Sequence, residues 1–228
     1  MRIASLAAAL LVLCGSSVAF AEEGKLNTPP EGFELLFNGK DLTNWQGMLL
    51  DGNPYKIAEL SKEERAKLQT EADEAAKQDW QVKDGILVFD GSGKSLVTAK
   101  DYGDFEFYVD FKIEPKGDSG IYLRGTPQVQ IWDPALNNIG SGGLYNNKEN
   151  PSKPLGEIAD NPVGEWNTFY IKMVGDKVTV KLNDKTVVDE TPLENYWKRG
   201  EPLLEKGTIE LQNHGNTLYF RNIYVREL

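Results

Sequence analysis

The sequence predicts an all-β domain of two packed sheets, a sandwich or jelly roll, with one helix inserted on its surface. The clearest observation is the strict alternation over Phe105–Ile113, where every second residue is apolar and would face a core. The same period recurs at Phe169–Met173 and at Val178–Leu182, and Gly175–Asp176 between them is typical of a hairpin turn. Many short strands separated by Gly, Asn and Asp turns indicate this class of fold.

The N-terminus has the features of a secretory signal peptide over residues 1–21. Arg2 gives it a basic start, an apolar run follows to Leu13, and Ala19–Ala21 forms an Ala-x-Ala cleavage site. The apolar run is too short to span a bilayer. Because Cys14, the only cysteine, lies in this segment, we expect an exported protein, periplasmic or secreted, that is stabilised by its core rather than by disulfides.

After this segment we expect a short lead-in at residues 22–30 and a single domain at residues 31–228. The formal net charge is −10 for the whole chain and one unit more negative without Arg2. Such an acidic chain argues against the basic patch that nucleic acids require, and it is not attracted to anionic membrane surfaces. We therefore predict no nucleic-acid partner and no membrane insertion.

Shorter apolar runs predict the remaining strands. In chain order these runs are Phe33–Phe37, Gln81–Phe89, Ile121–Arg124, Gln128–Trp132 and Ile209–Leu211. In the last strand Leu218 and Phe220 are in phase with each other, whereas Ile223 and Val225 are out of phase. A β-bulge near Arg221–Asn222 would explain that shift.

The one helix is predicted at about residues 61–78. Ser61, followed three residues later by Glu64, forms a capping box, which marks a helix N-terminus. The apolar residues of this segment are mostly alanines and make only a thin stripe, so little of the helix would be buried. We expect a surface helix inserted between early strands, without a functional site.

The alternation in the middle strands predicts a polar surface on the side of a sheet that faces away from the core. Its side chains would be Tyr122, Arg124, Gln128, Gln130, Trp132, Glu210, Gln212, His214, Tyr219 and Arg221, if these strands share one sheet. Aromatic rings cover the apolar face of a sugar, and planar amides and guanidinium groups bind its hydroxyls. The mixture therefore favours a carbohydrate site over the alternative, a solvated sheet face.

His214 is the only histidine, and histidine exchanges protons more readily than other side chains near neutral pH. The glycine-rich stretch Gly140–Tyr145 would form a mobile rim that carries Tyr145. We expect Arg124, Gln130, Tyr145 and His214 to converge on one concave surface. A surface histidine at the end of a hairpin is the alternative interpretation.

Nine segments, taken together, resemble the 3-keto-disaccharide hydrolase domain family, and they cover almost the whole domain apart from the helix. The segments are Phe33–Trp45, Trp80–Gly85, Tyr102–Phe105, Asp118–Arg124, Gln128–Asp133, Gly142–Tyr145, Gly164–Asn167, Leu211–Gly215 and Phe220–Ile223. Each is weak alone, whereas their common order is specific. The resemblance implies a concanavalin-like jelly roll.

The resemblance also implies cleavage of glycosides whose sugar carries a ketone at carbon 3. That ketone acidifies the hydrogen on carbon 2, so a base can remove it and the anomeric substituent leaves by elimination, after which water adds. The chemical types suggest His214 as the base or acid, Arg124 or Arg221 as the enolate stabiliser and Tyr145 as the acid for the leaving group. Paired carboxylates are not required.

The chain departs from the family pattern at Gln128, where the pattern has glutamate, and at Asp118, where it has asparagine. Glutamine cannot act as a base, so another carboxylate, such as Asp118, Asp133 or Glu210, would have to serve. The alternative is a non-catalytic carbohydrate-binding jelly roll. A structural module of an envelope assembly is a third class, although it does not explain the polar surface.

No cofactor is predicted, and the sequence has no Cys/His cluster of the kind that binds zinc. A bound cation is an alternative that stays open, because the carboxylates of Asp118, Asp133 and Glu210 could supply oxygen ligands. The expected partner is a 3-keto glycoside substrate.

Overall fold

The computed structural model describes residues 25–150, 153 and 158–228, and it consists mainly of β-strands. The predicted signal peptide lies outside the described residues, as does the start of the predicted lead-in. In chain order the elements are β1 (Glu34–Leu35), β2 (Trp45–Gly47), a 3₁₀ turn (Leu50–Gly52), α1 (Pro54–Ala58), α2 (Lys62–Asp79), β3 (Trp80–Lys83), β4 (Ile86–Phe89), β5 (Leu96–Thr98), β6 (Phe105–Ile113), β7 (Asp118–Leu123), β8 (Thr126–Trp132), β9 (Asn167–Val174), β10 (Lys177–Leu182), β11 (Lys185–Pro192), β12 (Glu210–Leu211) and β13 (Leu218–Glu227).

These strands form two antiparallel sheets, which confirms the predicted all-β class. The eight-stranded sheet has the order β11-β10-β9-β6-β13-β4-β3, with β1 also pairing with β13. The five-stranded sheet has the order β2-β5-β12-β7-β8. No helix among the described residues is long and apolar enough to cross a membrane.

The core lies between the two sheets and is built by the residues that the alternation predicted. On β6 the side chains of Phe105, Phe107 and Phe111 are at most 1% exposed. From the five-stranded sheet, Ile121 and Ile131 are fully buried. Since burial of each large apolar side chain contributes about 1.5–3 kcal/mol, this core can hold the sheets together without disulfides.

Local turn chemistry determines where the strands of the eight-stranded sheet pair. Asn183 and Asp184 both have positive φ, at 48° and 67°, which is the geometry of a tight hairpin turn between β10 and β11. The predicted bulge is confirmed, because the register of β13 against β6 shifts between Arg221 and Tyr224. Asn222 takes a φ of 51° at that point, and the shift returns Ile223 and Val225 to the core.

The predicted surface helix is confirmed as α2, with the capping box of Ser61 and Glu64 at its start. Only Ala76 of this helix is buried. The helix is fastened to β2 by polar contacts, since the Gly47 N–H donates to the Asp73 carboxylate at 2.9 Å. The sequence did not predict the short helix α1, which begins at Pro54 and is capped by Asn53.

One expectation about topology is wrong. Tyr219 and Arg221 were expected to share a sheet with Glu210–His214, but the chain crosses from the five-stranded to the eight-stranded sheet after the turn at Gly215. The reason is that β12 pairs with β5 and β7, whereas β13 pairs with β4 and β6. The two halves of this apparent hairpin therefore lie in different layers.

Candidate active site

The side of the five-stranded sheet that faces away from the core carries a continuous set of polar side chains, called the polar face below. It consists of Asp118 and Tyr122 on β7, Gln128, Gln130 and Trp132 on β8, Glu210 on β12, and Gln212 and His214 after β12. The strand register aligns them in rows, because Glu210 pairs with Tyr122, which pairs with Gln128, and Asp118 pairs with Trp132. The fold thus brings eight of the predicted site residues onto one surface.

A chain of hydrogen bonds runs across the middle of the polar face. The Gln130 amide nitrogen donates to Asp118 Oδ1 at 2.8 Å and to the Ser119 carbonyl at 3.0 Å, which fixes the orientation of that amide. The Gln128 amide nitrogen then donates to the Gln130 amide oxygen. This leaves Gln128 Oε1 buried and without a hydrogen-bond partner among the described residues.

Gly120 makes room for this arrangement in the centre of the face. A Cβ at this position would lie 2.9 Å from Gln128 Cδ and 3.1 Å from its Oε1, closer than side chains normally approach. The Gln128 side chain therefore lies flat across the backbone of β7. Since buried polar atoms are nearly always hydrogen-bonded, the unpartnered Oε1 is an unused acceptor at the centre of the polar face.

His214 and Asp118 lie together at one end of the polar face. His214 Nδ1 is 3.5 Å from Asp118 Oδ2, and the His214 side chain is 56% exposed, whereas that of Asp118 is 23% exposed. The turn that follows His214 is attached to β7, because the Asp118 N–H donates to Asn216 Oδ1 at 3.2 Å. The pair thus combines a group that exchanges protons with a carboxylate that can orient it, and it remains open to solvent.

Glu210 lies at the other end of the polar face and is only 6% exposed. Burial raises the pKa of its carboxyl to about 7, although a hydrogen bond from Ser95 opposes the shift. No Lys or Arg of the described residues forms an ion pair with it. The 3₁₀ turn covers it, since a Cβ at Gly52 would lie 3.2 Å from Glu210 Oε2. The carboxyl can therefore be protonated or ionised near neutral pH.

Tyr122 is the cross-strand neighbour of Glu210, so their Cβ atoms are about 5 Å apart on one face. Burial, and secondarily the Glu210 carboxyl, raises the pKa of the Tyr122 phenol, while a hydrogen bond with the Asn146 side chain opposes the shift. The phenol consequently keeps its proton. Tyr122 and protonated Glu210 together provide two neutral hydrogen-bond donors side by side.

Tyr145 lies beside the polar face, as predicted. Its ring packs edge-on against Trp132 with 4.9 Å between the ring centroids, and it is 57% exposed. The glycine-rich segment before it is held to β8, because the Gly142 N–H donates to the Gln130 carbonyl at 2.8 Å. This contact places Tyr145 at the edge of the face formed by β8.

Arg124 does not reach the polar face, and the expectation that it converges there is wrong. It follows β7 at a register shift, takes a φ of 54° and is 3% exposed. Its guanidinium donates to the Gly103 carbonyl at 2.8 Å and the Gly175 carbonyl at 2.9 Å, and it pairs with Asp104 at 2.7 Å. Arg124 therefore connects the two sheets at one end of the sandwich.

Two further predicted site residues lie elsewhere. Arg221 is on the eight-stranded sheet, where it pairs with Asp110 at 3.0 Å and stacks over Trp166 at 4.1 Å. Asp133 is 4% exposed, and its carboxylate accepts the backbone N–H groups of Lys116 and Ala135 at 2.7 and 2.8 Å. Both residues therefore have structural roles. Arg221 neutralises Asp110 on the eight-stranded sheet, and the Asp133 carboxylate holds the turns at the end of β8.

The structure also shows an aromatic depression next to the polar face that the sequence did not predict as a site. It has a volume of about 640 Å³, and its lining residues are Tyr145, Asn146, Lys148, Tyr196, Trp197 and Arg199. Small-molecule sites commonly have volumes of about 300–1,000 Å³. The run Asn195–Arg199 combines two aromatic with two basic residues in a loop, and this composition was the signal available in the sequence.

No three His, Cys, Asp or Glu side chains in the described part of the chain are grouped so that they could hold a metal ion. Asp133 in particular faces the turns described above rather than the polar face. The geometry therefore does not support the alternative left open by the sequence, a cation bound jointly by Asp118, Asp133 and Glu210.

Comparison with known proteins identifies the family. The sequence model of one protein family, the 3-keto-alpha-glucoside-1,2-lyase-like domain, matches residues 32–226. The chain belongs to this family. The resemblance described from the sequence segments is thereby confirmed.

Among curated proteins, the chain is similar to a protein named 3-keto-disaccharide hydrolase from Bacteroides thetaiotaomicron. The two are 24% identical over 268 aligned positions, which cover 93% of this chain and 84% of the relative.

Solved structures confirm the fold. Two crystal structures of a putative glycosyl hydrolase from Parabacteroides distasonis superpose with a TM-score of 0.63, at 23% and 24% sequence identity. They cover 90% and 98% of this chain, and each is matched over its full length. The predicted jelly-roll architecture of the domain agrees with this likeness.

Proposed function

We propose that the protein is carbohydrate-active and that it cleaves glycosides whose sugar carries a ketone at carbon 3. Membership of the family and the relative named 3-keto-disaccharide hydrolase support this substrate class. The contact between His214 and Asp118 on the polar face carries the proposal, because it places a proton-exchanging group beside a carboxylate on an open surface. We further propose that the chain is exported, on the strength of the signal-like residues 1–21.

The proposed reaction is an elimination followed by hydration. A base takes the proton from carbon 2, and its electron pair forms an enolate with the negative charge on the carbon 3 oxygen. The ketone then re-forms, a double bond forms between carbons 1 and 2, and the glycosidic oxygen leaves with its electron pair and takes up a proton. Water finally adds its hydroxyl to carbon 1 and its proton to carbon 2, so that the sum is hydrolysis.

His214 is the proposed base, and Asp118 is the group that orients it and stabilises its protonated form. A carboxylate beside an imidazole performs both tasks in other enzymes that use histidine as a base. Because the His214 side chain is more than half exposed, it can reach a bound sugar and exchange the proton with solvent.

Tyr122 and protonated Glu210 are the proposed donors to the enolate oxygen, the role that the sequence had suggested for Arg124 or Arg221. Neutral donors with raised pKa values are suited to this task, because they stabilise a developing negative charge while carrying none themselves. Tyr122 lies four residues along β7 from Asp118, which is roughly 13 Å on an extended strand, and Glu210 is beside Tyr122 on β12. A sugar ring and its contacting side chains would fill that span, and the Gln128 side chain lies between them over Gly120.

The decisive assay compares release of 4-nitrophenol from the 3-keto form of 4-nitrophenyl glucoside and from the unoxidised glucoside. The wild-type protein should cleave only the ketone. His214→Ala should lower the rate by roughly 100-fold or more, since it removes the base. Tyr219→Phe, on the other sheet, is the matched control and should behave like wild type. Equal activity on the unoxidised glucoside would reject elimination, and an undiminished His214→Ala variant would remove His214 from the mechanism.

A carbohydrate-binding module is the second candidate, and one observation favours it. The centre of the polar face holds the Gln128 amide rather than a carboxylate, and an amide binds hydroxyls but cannot remove a proton. Binding of a sugar without turnover of either substrate would support this second candidate.

A further inference from the structure

The aromatic depression beside the polar face has a composition that differs from that face. Its rings belong to Tyr145, Tyr196 and Trp197, and its charged side chains, Lys148 and Arg199, are both positive. Tyr145 and Tyr196 are 57% and 39% exposed, so ring surface is available to a ligand. The depression is therefore an aromatic and cationic surface on a chain whose net charge is −10.

The depression is continuous with the proposed reaction site. Tyr145, in its wall, packs against Trp132 of the polar face, and Asn146 is hydrogen-bonded to Tyr122. At its other side the Trp197 indole donates to the Gly125 carbonyl at 2.7 Å, directly after β7. A ligand that crosses β8, the edge strand, would thus have one part on the polar face and the other part in the depression.

The polar groups around the depression are engaged in holding its two loops together. The Glu194 carboxylate accepts the backbone N–H groups of Lys148, Glu149 and Asn150 at 2.8–3.0 Å and pairs with Arg199. The Asn195 amide is likewise used, since it donates to Tyr55 Oη at 2.7 Å and accepts from the Trp197 backbone N–H at 3.1 Å. Amides, carboxylates and guanidinium groups bind sugar hydroxyls, and those of Asn195, Glu194 and Arg199 are already engaged in these contacts.

We propose that the aromatic depression binds the leaving group of the substrate and that it selects flat aromatic leaving groups, phenols, over a second sugar. Tyr145 and Tyr196 supply ring contacts, and Lys148 favours the negative charge that develops on a departing phenol oxygen. This inference rests on the proposed function, because it assigns the second half of the same substrate.

The test measures kcat/KM for three 3-keto substrates that share the glucose ring: the 4-nitrophenyl glycoside, the methyl glycoside and a disaccharide. Tyr196→Ala should lower kcat/KM for the 4-nitrophenyl substrate by roughly 3- to 10-fold through lost ring contact, and should leave the methyl substrate unchanged. The ratio of variant to wild type is compared for each substrate, so differences in leaving-group reactivity cancel. Leu136→Ala is the matched control, since Leu136 is 52% exposed but does not line the depression.

Equal losses for all three substrates, or no loss for any, would overturn the proposal. A loss confined to the disaccharide would also overturn it and would assign the depression to a sugar. Calorimetric titration with unoxidised 4-nitrophenyl and methyl glucosides separates this inference from the proposed function, because no turnover is needed. Tighter binding of the aryl glucoside that Tyr196→Ala abolishes would support the site even if the chemistry fails, and equal binding of both would reject the site.

Discussion

The outer faces of the two sheets differ in whether their carboxylates have arginine partners. On the eight-stranded sheet, Asp110 pairs with Arg221 at 3.0 Å, and Glu106 pairs with Arg226. On the five-stranded sheet, the buried Glu210 has no cationic partner in the described residues, and Asp118 has only His214 and an amide. Arginine neutralises the carboxylates of the first sheet, whereas burial without a cation raises the pKa of Glu210 to about 7 and leaves that carboxyl able to exchange a proton.

The largest expected effect concerns Arg124, which the sequence placed in the site and the structure places between the sheets. Arg124→Met should lower the free energy of unfolding by about 3 kcal/mol, because it leaves buried carbonyl groups without their charged donor. The partner Asp104 is 41% exposed, so the ion pair itself contributes little of this loss. Denaturant unfolding at pH 7 measures the change, and the folded fraction should keep the wild-type kcat. A loss of kcat without a loss of stability would return Arg124 to the mechanism.

Glu210→Gln should stabilise the protein at pH 8, by an amount on the order of 3 kcal/mol. The folded-state pKa of about 7 is raised from 4.5, so the folded protein holds a proton that the unfolded chain releases. The free energy of unfolding of the wild type, relative to that of the variant, should thus be highest below about pH 4.5. It should fall as the pH rises towards 7 and stay constant above that pH. Unfolding curves at several pH values measure this dependence.

Glu106→Gln is the matched control for Glu210→Gln, since Glu106 is also buried but accepts from Arg226 and from Tyr170. Its loss should destabilise the protein, because it leaves a charged donor without its acceptor. A stabilising effect of both substitutions would contradict the difference between the two faces.

Arg221→Gln should have a smaller effect, a loss of about 1–2 kcal/mol in unfolding free energy. Asp110 keeps hydrogen bonds from Thr168 and Asn222, so its charge is only partly uncompensated. The kinetic parameters on the 3-keto substrate should not change, because Arg221 lies on the sheet opposite to the polar face. A tenfold fall in kcat with unchanged stability would show that the wrong face has been assigned.

The fold could be predicted largely from period-two patterns, because burial of one side of each strand determines the sequence directly. Phe105–Ile113 and the bulge after Arg221 are examples, and both were confirmed. The pairing of strands could not be predicted in the same way. The short segment Glu210–Leu211 and the strand that begins at Leu218 look like one hairpin in the sequence, although their hydrogen-bond partners lie in different sheets.

The candidate site was predictable where alternation alone decides which way a side chain points, as for Gln130 and Tyr122. It was not predictable for Arg124 or Asp133, since a register shift and a tight turn redirect those side chains towards backbone groups. The raised pKa of Glu210 depends on the 3₁₀ turn that covers it, and that turn is distant in sequence. Such effects of tertiary packing leave no local pattern.

The central claim, that proton transfer at carbon 2 takes place on the polar face, is tested most directly by running the reaction in D₂O. Early product from the wild-type protein should carry one deuterium at carbon 2, detected by NMR before spontaneous exchange. The variant Arg221→Gln should give the same result at the same rate, whereas His214→Ala should form product at least 100-fold more slowly. Product without deuterium at carbon 2, or a His214→Ala variant as fast as wild type, would contradict the account.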